Sequence, residues 1–160
     1  MNELLLIIDL QNDFINEKTK HIVEKIENLV EQEKYTYIVF TRYINSYDNL
    51  CYTKLNFEGC LTENGKKIAI DSKNYKVIDK PMYTSLVPEL EEYIKENKIE
   101  KIYLCGVDTE CCVLKTALDL FENGYNVYVL KDYCASMEGN QAHNNAIELL
   151  ERNIGNNYVI

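Results

Sequence analysis

Leu4-Leu5-Leu6-Ile7-Ile8-Asp9 is a run of apolar residues without alternation, closed by an acid. A strand with one wet face alternates, so an uninterrupted run of this length fits a parallel strand buried on both faces, with Asp9 at its carboxyl end. The next segment supplies a cover for such a sheet. Within residues 20–34, Ile22, Ile26, Leu29 and Val30 recur at i, i+4, i+7 and i+8, which is one helical stripe. Further strands are predicted at residues 37–41, 75–79, 101–106 and 126–131, with Tyr158-Val159-Ile160 as a sixth. Ser85 is expected to cap a helix that starts near Val87-Pro88 and turns Leu90, Ile94 and Tyr93 inward. Another helix runs through Val113, Ala117, Leu118 and Phe121 to a stop at Asn123-Gly124, and a last one carries Ala142, Ala146, Leu149 and Leu150. Residues 43–75 show no sustained period and include Asn49, Asn56, Gly59, Asn64 and Gly65; they read as a long loop with room for a short helix or hairpin, often a functional feature in a compact domain.

Strands alternating with amphipathic helices imply right-handed crossovers and a largely parallel sheet of five to six strands in a three-layer α/β/α, Rossmann-like arrangement. The 160 residues fit one domain, 1–160. With 46% hydrophobic and 27% charged residues, six Gly and two Pro, the composition is globular. A formal charge of −9 argues against nucleic acid and against a basic membrane-binding patch. No stretch approaches the roughly 18 apolar residues of a membrane helix, and the run at 4–8, flanked by Glu3 and Asp9, is too short for a signal peptide. The six Cys include no CxxC or CxxH pair, so reduced thiols and a cytoplasmic location are expected.

In sheets of this class ligands bind beyond the carboxyl ends of the strands, where the strand order reverses. That rule selects Asp9, Thr41-Arg42, Lys80 and the turn from Gly106 to Cys112. Asp9, Lys80 and Cys112 are then an acid, a base and a soft nucleophile brought to one rim by three strands. Singly, each has a plainer reading: a cap, a solvated charge, a small buried apolar residue. Together they form a unit. A helix N-terminus at Cys112 favours a thiolate and could hold an oxyanion, and Lys80 offsets the repulsion from Asp9 and lets a proton pass from sulfur to carboxylate.

Ile7-Ile8-Asp9-Leu10-Gln11-Asn12-Asp13-Phe14, Phe40-Thr41-Arg42, Asp79-Lys80-Pro81-Met82-Tyr83-Thr84-Ser85 and, above all, Gly106-Val107-Asp108-Thr109-Glu110-Cys111-Cys112-Val113 with Thr116-Ala117-Leu118-Asp119 make the chain similar to the isochorismatase-like cysteine hydrolases. Gly124-Tyr125-Asn126-Val127 and Asp132-Tyr133-Cys134-Ala135-Ser136 continue the likeness, which covers nearly the whole chain in order. The resemblance implies a triad of Asp9 as proton shuttle, Lys80 as charge partner and Cys112 as nucleophile. Cys112 fills that position in preference to Cys111 because it directly precedes Val113, three residues after Thr109. It also implies a non-proline cis peptide at Val107–Asp108, an oxyanion hole from the Asp108 and Cys112 amides, and a homo-oligomer. By position, Phe14, Tyr43 and Tyr83 are candidate walls of the substrate pocket.

Departures from the family pattern narrow the chemistry. Metal-dependent nicotinamidases of this family carry an Asp-x-His pair and a further His after strand two, whereas residues 42–60 contain no His and offer Tyr43, Asn45, Tyr47 and Asp48. His21 and His143 lie elsewhere, so the expectation is a metal-free site with no cofactor. Isochorismatases proper cleave a vinyl ether and lack the cysteine, so Cys112 points to acyl chemistry on a small-molecule amide. Two rivals remain on the page. A phosphorylation receiver would need an Asp after strand three, where this chain has Lys80. A catalytically silent binding module would keep the fold, and its Cys112 would react no faster than the other thiols.

Overall fold

A computed structural model describes residues 1–160. Five strands, β1 (Glu3–Ile8), β2 (Tyr37–Tyr43), β3 (Lys76–Lys80), β4 (Lys101–Val107) and β5 (Val127–Ala135), form one parallel sheet in the order β3-β2-β1-β4-β5. The helices are α1 (His21–Glu31), α2 (Leu50–Leu55), α3 (Glu63–Lys66), α4 (Pro88–Glu96), α5 (Leu114–Glu122) and α6 (Asn140–Ile154). The apolar run of β1 is the centre of the sheet and is hidden on both sides. Leu4, Leu6 and Ile8 pack with Leu90, Ile94, Ala117, Leu120 and Leu150 of α4, α5 and α6. Leu5 and Ile7 pack with Ile22, Ile26, Leu29 and Val30 of α1. Each fully buried aliphatic side chain contributes about 1.5–3 kcal/mol, so this strand, with two dry faces, anchors both layers.

The strand order reverses between β1 and β4, which pair from Glu3 with Lys101 to Ile8 with Gly106. Gly106 has φ 122°, and a Cβ there would lie 2.0 Å from the Ile8 carbonyl oxygen. Only glycine lets the two strands close at this end. The β4–β5 register shifts between Leu104 and Gly106, after which Gly106 pairs with Cys134 and Val107 with Ala135. That irregularity carries β5 four residues beyond the predicted end at 131 and brings Ser136 to Glu138 alongside the turn that follows β4.

Several local expectations are corrected. Helix α5 turns Thr116, Ala117 and Leu120 inward, while Phe121 is 48% exposed and Leu118 only half-buried; the burial stripe runs 113, 116, 117, 120. Ser85 does not cap α4. Val87 holds the cap position, and the side chain of fully buried Ser85 accepts nothing from the helix, while its backbone N–H donates to the Thr116 hydroxyl at 2.9 Å. Leu149 is exposed, and Leu150 and Ile154 carry the packing of α6. The chain end adds a single parallel bridge, Val129 to Val159, in place of a sixth strand. Residues 43–75 hold the end of β2 and the short helices α2 and α3.

The face assignment of α5 is testable by urea unfolding. Leu120→Ala should lower stability by about 2–5 kcal/mol through a core cavity, and Phe121→Ala should stay within about 0.5 kcal/mol of the parent. Equal losses would contradict the assignment.

Candidate active site

Asp9 follows β1 with left-handed backbone, φ 50°, which aspartate tolerates better than most residues. Its carboxylate is fully buried. Oδ1 accepts the Thr41 hydroxyl of β2 at 2.9 Å, and Oδ2 lies 2.7 Å from Lys80 Nζ at the end of β3. Oδ2 receives no well-aligned hydrogen bond, so this is a contact of charges more than of directed protons. Lys80 reaches Asp9 across the width of β2, and its ammonium is held from the other side by the carbonyls of Met82 at 2.7 Å and Tyr83 at 3.0 Å. Burial pulls the Lys80 pKa down, but Asp9 and Cys112 more than restore it, so the net direction is up and the ammonium stays charged.

Cys112 is 7% exposed, and Asp9 and Lys80 are the charged groups that act most strongly on its thiol. The turn that carries it, Thr109–Val113, is a π-turn and not the first turn of an α-helix; Val113 N–H reaches back five residues to the Asp108 carbonyl at 3.2 Å. Burial first, and Asp9 second, push the thiol well up against the opposing pull of Lys80. This corrects the expectation of a favoured thiolate: at rest the proton is on sulfur, beside a carboxylate able to take it. The Val107–Asp108 peptide is cis. The Asp108 amide makes no hydrogen bond within the chain, while those of Cys111 and Val113 are tied to the Asp108 carbonyl.

A cavity of about 280 Å³ opens above Cys112. Phe14, Tyr43 and Tyr83, the three aromatic candidates, all line it. Unforeseen in the sequence were Phe57, Leu55 and Cys51 from the 43–75 segment, and Glu110, Met137 and Glu138 from the two turns beyond β4 and β5. Polar staples shape the segment. Gln11 Nε2 donates to the carbonyls of Tyr43 at 2.9 Å and Lys66 at 3.0 Å, Asn45 Nδ2 donates to those of Phe57 and Gly59, and Asn49 caps α2. Phe57 is thereby stacked on Phe14, centroids 5.9 Å apart. The only signal for this in sequence is the density of Asn in the segment, a residue that binds backbone groups in turns. A larger groove of about 690 Å³, lined by Arg42, Glu63 and the 67–72 stretch, contains no cysteine.

The donor set after β2 does not suit a zinc ion. Tyr43 and Asn45 bond one another, the Asn45 amide is held by the loop carbonyls, and exposed Asp48 takes the Ser46 hydroxyl. His143 Nδ1 is 2.8 Å from Thr109 Oγ1, on the turn that carries Cys112, and His21 opens α1. No group of three or more His, Cys, Asp or Glu is arranged to hold a metal.

A family model described as the Isochorismatase domain matches residues 3–158. A protein named secreted isochorismatase effector, from Phytophthora sojae, is 41% identical over 41% of this chain and 32% of its own length, so the chain matches about a third of that relative. The crystal structure of an isochorismatase-like hydrolase from Alkaliphilus metalliredigens superposes with a TM-score of 0.85 at 22% identity, over 96% of this chain and 92% of that one. A nicotinamidase from Bacillus subtilis gives 0.77 at 25% identity over 97% of both. No helix here is long and apolar enough to cross a membrane.

Asp108 provides a test of the site's electrostatics. Burial, aided by Glu110, Asp9 and Glu138 and opposed by the Met137 amide, raises its pKa to about 7. A carboxyl group raised on folding stabilises the protein when protonated, and that stability is lost as pH climbs from the ordinary carboxylate range to about 7. Asp108→Asn should therefore melt above the parent at about pH 8 and close to it at about pH 4. Thermal denaturation at both values checks this, and an unchanged difference across the range would contradict it.

Proposed function

This chain belongs to the isochorismatase family of hydrolases, and from that premise we propose that residues 1–160 act as one cysteine hydrolase unit that cuts a small amide C–N bond through a thioester on Cys112. The observation that carries the reading is a buried thiol on the floor of a small cavity, acted on by the charges of the Asp9–Lys80 ion pair. Asp9 takes the thiol proton as sulfur attacks the carbonyl carbon. The tetrahedral oxyanion is met by the Asp108 and Cys112 amides. The C–N bond breaks as Asp9 returns the proton to the leaving nitrogen. Water, losing a proton to Asp9, then attacks the thioester; the C–S bond breaks, the acid departs and the proton goes back to sulfur. Lys80 stays protonated throughout and balances whichever of Asp9 and Cys112 is negative.

The relative from Bacillus subtilis is a nicotinamidase, and amide hydrolysis by that protein supports the reaction class here. The unsuited donor set after β2 favours a different amide and a reaction without a metal ion. Six free thiols support a reducing, cytoplasmic compartment. Exposed Phe121 and Leu149, on the packed pair α5 and α6, support self-association.

An ammonia-release screen over small primary amides, carbamates and ureas is the direct test. Cys112→Ala and Asp9→Asn should each lower turnover by roughly 10²–10⁴-fold with the fold retained, and mass spectrometry with a slow substrate should find the acyl group on Cys112. Full turnover by Cys112→Ala would overturn covalent catalysis in favour of an isochorismatase-type route with Asp9 as sole acid.

A further inference from the structure

We infer that the cavity above Cys112 selects a positively charged substrate, an amide that bears an ammonium or amidinium group, with Glu110 as the residue that recognises the charge. The reaction it would undergo rests on the hydrolase reading above; the binding preference rests on the cavity wall itself.

Three carboxyl side chains, Asp108, Glu110 and Glu138, belong to that wall, and no Lys, Arg or His does. Lys80 is no counterweight, since it is fully buried with its ammonium held by Asp9 and two carbonyls. Lys18 turns to the backbone carbonyl of Glu138, 3.2 Å away, and does not line the cavity. Glu110 adds an observation of a different kind. Its Oε1 accepts the Ser136 hydroxyl at 2.6 Å, while Oε2 is sealed from solvent and has no donor in the protein. Buried carboxylate oxygens are ordinarily paired, so Glu110 keeps an unmet acceptor within the cavity wall.

A neutral N–H could meet that oxygen, but the rest of the wall distinguishes among ligands. Phe14, Tyr43, Phe57 and Tyr83 bring four aromatic rings to the same space, and ring faces attract cations. Asp108 is pushed up to about 7 partly by Glu110 and Glu138, a repulsion that an incoming cation relieves and an anion worsens. At about 280 Å³ the space admits a small molecule.

The test uses three primary amides of matched size: 4-aminobutanamide, its neutral isostere pentanamide, and anionic succinamate. Calorimetry with the Cys112→Ala variant of residues 1–160 reads binding without turnover. The cation should bind about tenfold or more tighter than the neutral amide, with the anion weakest, and its advantage should shrink with added salt. Glu110→Gln should collapse the ratio of cationic to neutral affinity, and Glu138→Gln should lower it less. Equal affinities, an inverted order, no binding by any of the three, or an unchanged ratio in Glu110→Gln would overturn the inference. Ammonia release by the parent reads the reaction separately. Cation-selective binding without ammonia from any amide would sustain the charge preference and count against the amidase reading, and release without charge preference would do the reverse.

Discussion

Two opposite charges sealed from water, Asp9 and Lys80, face each other 2.7 Å apart across the end of β2. Taking a carboxylate and an ammonium out of water costs several kcal/mol each, and mutual attraction repays that only where the remaining polar valences are met. The surroundings meet most of them. Thr41 donates to one carboxylate oxygen, and the carbonyls of Met82 and Tyr83 receive the ammonium. The chain after β3 therefore has to curl over Lys80 and present two carbonyls to it, which brings Tyr83 to the cavity. The sheet order does the rest, since β2 between β1 and β3 sets the span that a lysine side chain bridges.

The same pair acts on the thiol of Cys112. Burial first and Asp9 second hold the proton on sulfur, and Lys80 pulls the other way. Low exposure makes each of these effects larger than it would be at a surface. The arrangement couples packing to chemistry: Leu4, Leu6 and Ile8 on one face and Leu5 and Ile7 on the other are buried in the two core layers, and the acid stands at the end of that strand. Gly106 completes the coupling by letting β4 close on Ile8 and deliver the turn that holds Cys112.

Above this floor the cavity is made by different means. Its walls come from side chains in segments with no hydrophobic period, fixed by Gln11, Asn45 and Asn49 bonding to backbone groups. The register shift in β5 adds Met137 and Glu138 from the opposite side. A polar floor and a wall set by loop chemistry make up the site: under the proposed function the floor would support bond cleavage, and the wall would sort ligands by charge and size.

The parallel sheet, its central strand and the rim positions of Asp9, Lys80 and Cys112 could be read from the sequence, because burial on two faces leaves an unbroken apolar run and strand ends fall where such runs stop. The face of α5 was misread, since Leu118, Leu120 and Phe121 are all apolar and only the packing partner decides which of them turns inward. The protonation of Cys112 was misread for a related reason: a pKa depends on depth and on which charge is nearer, and neither is a property of sequence spacing. Phe57, Glu110 and Glu138 carried no periodic signal at all. Their convergence depends on long-range hydrogen bonds and on one register shift between strands, and contacts between residues far apart in the chain exist only once the chain has closed on itself.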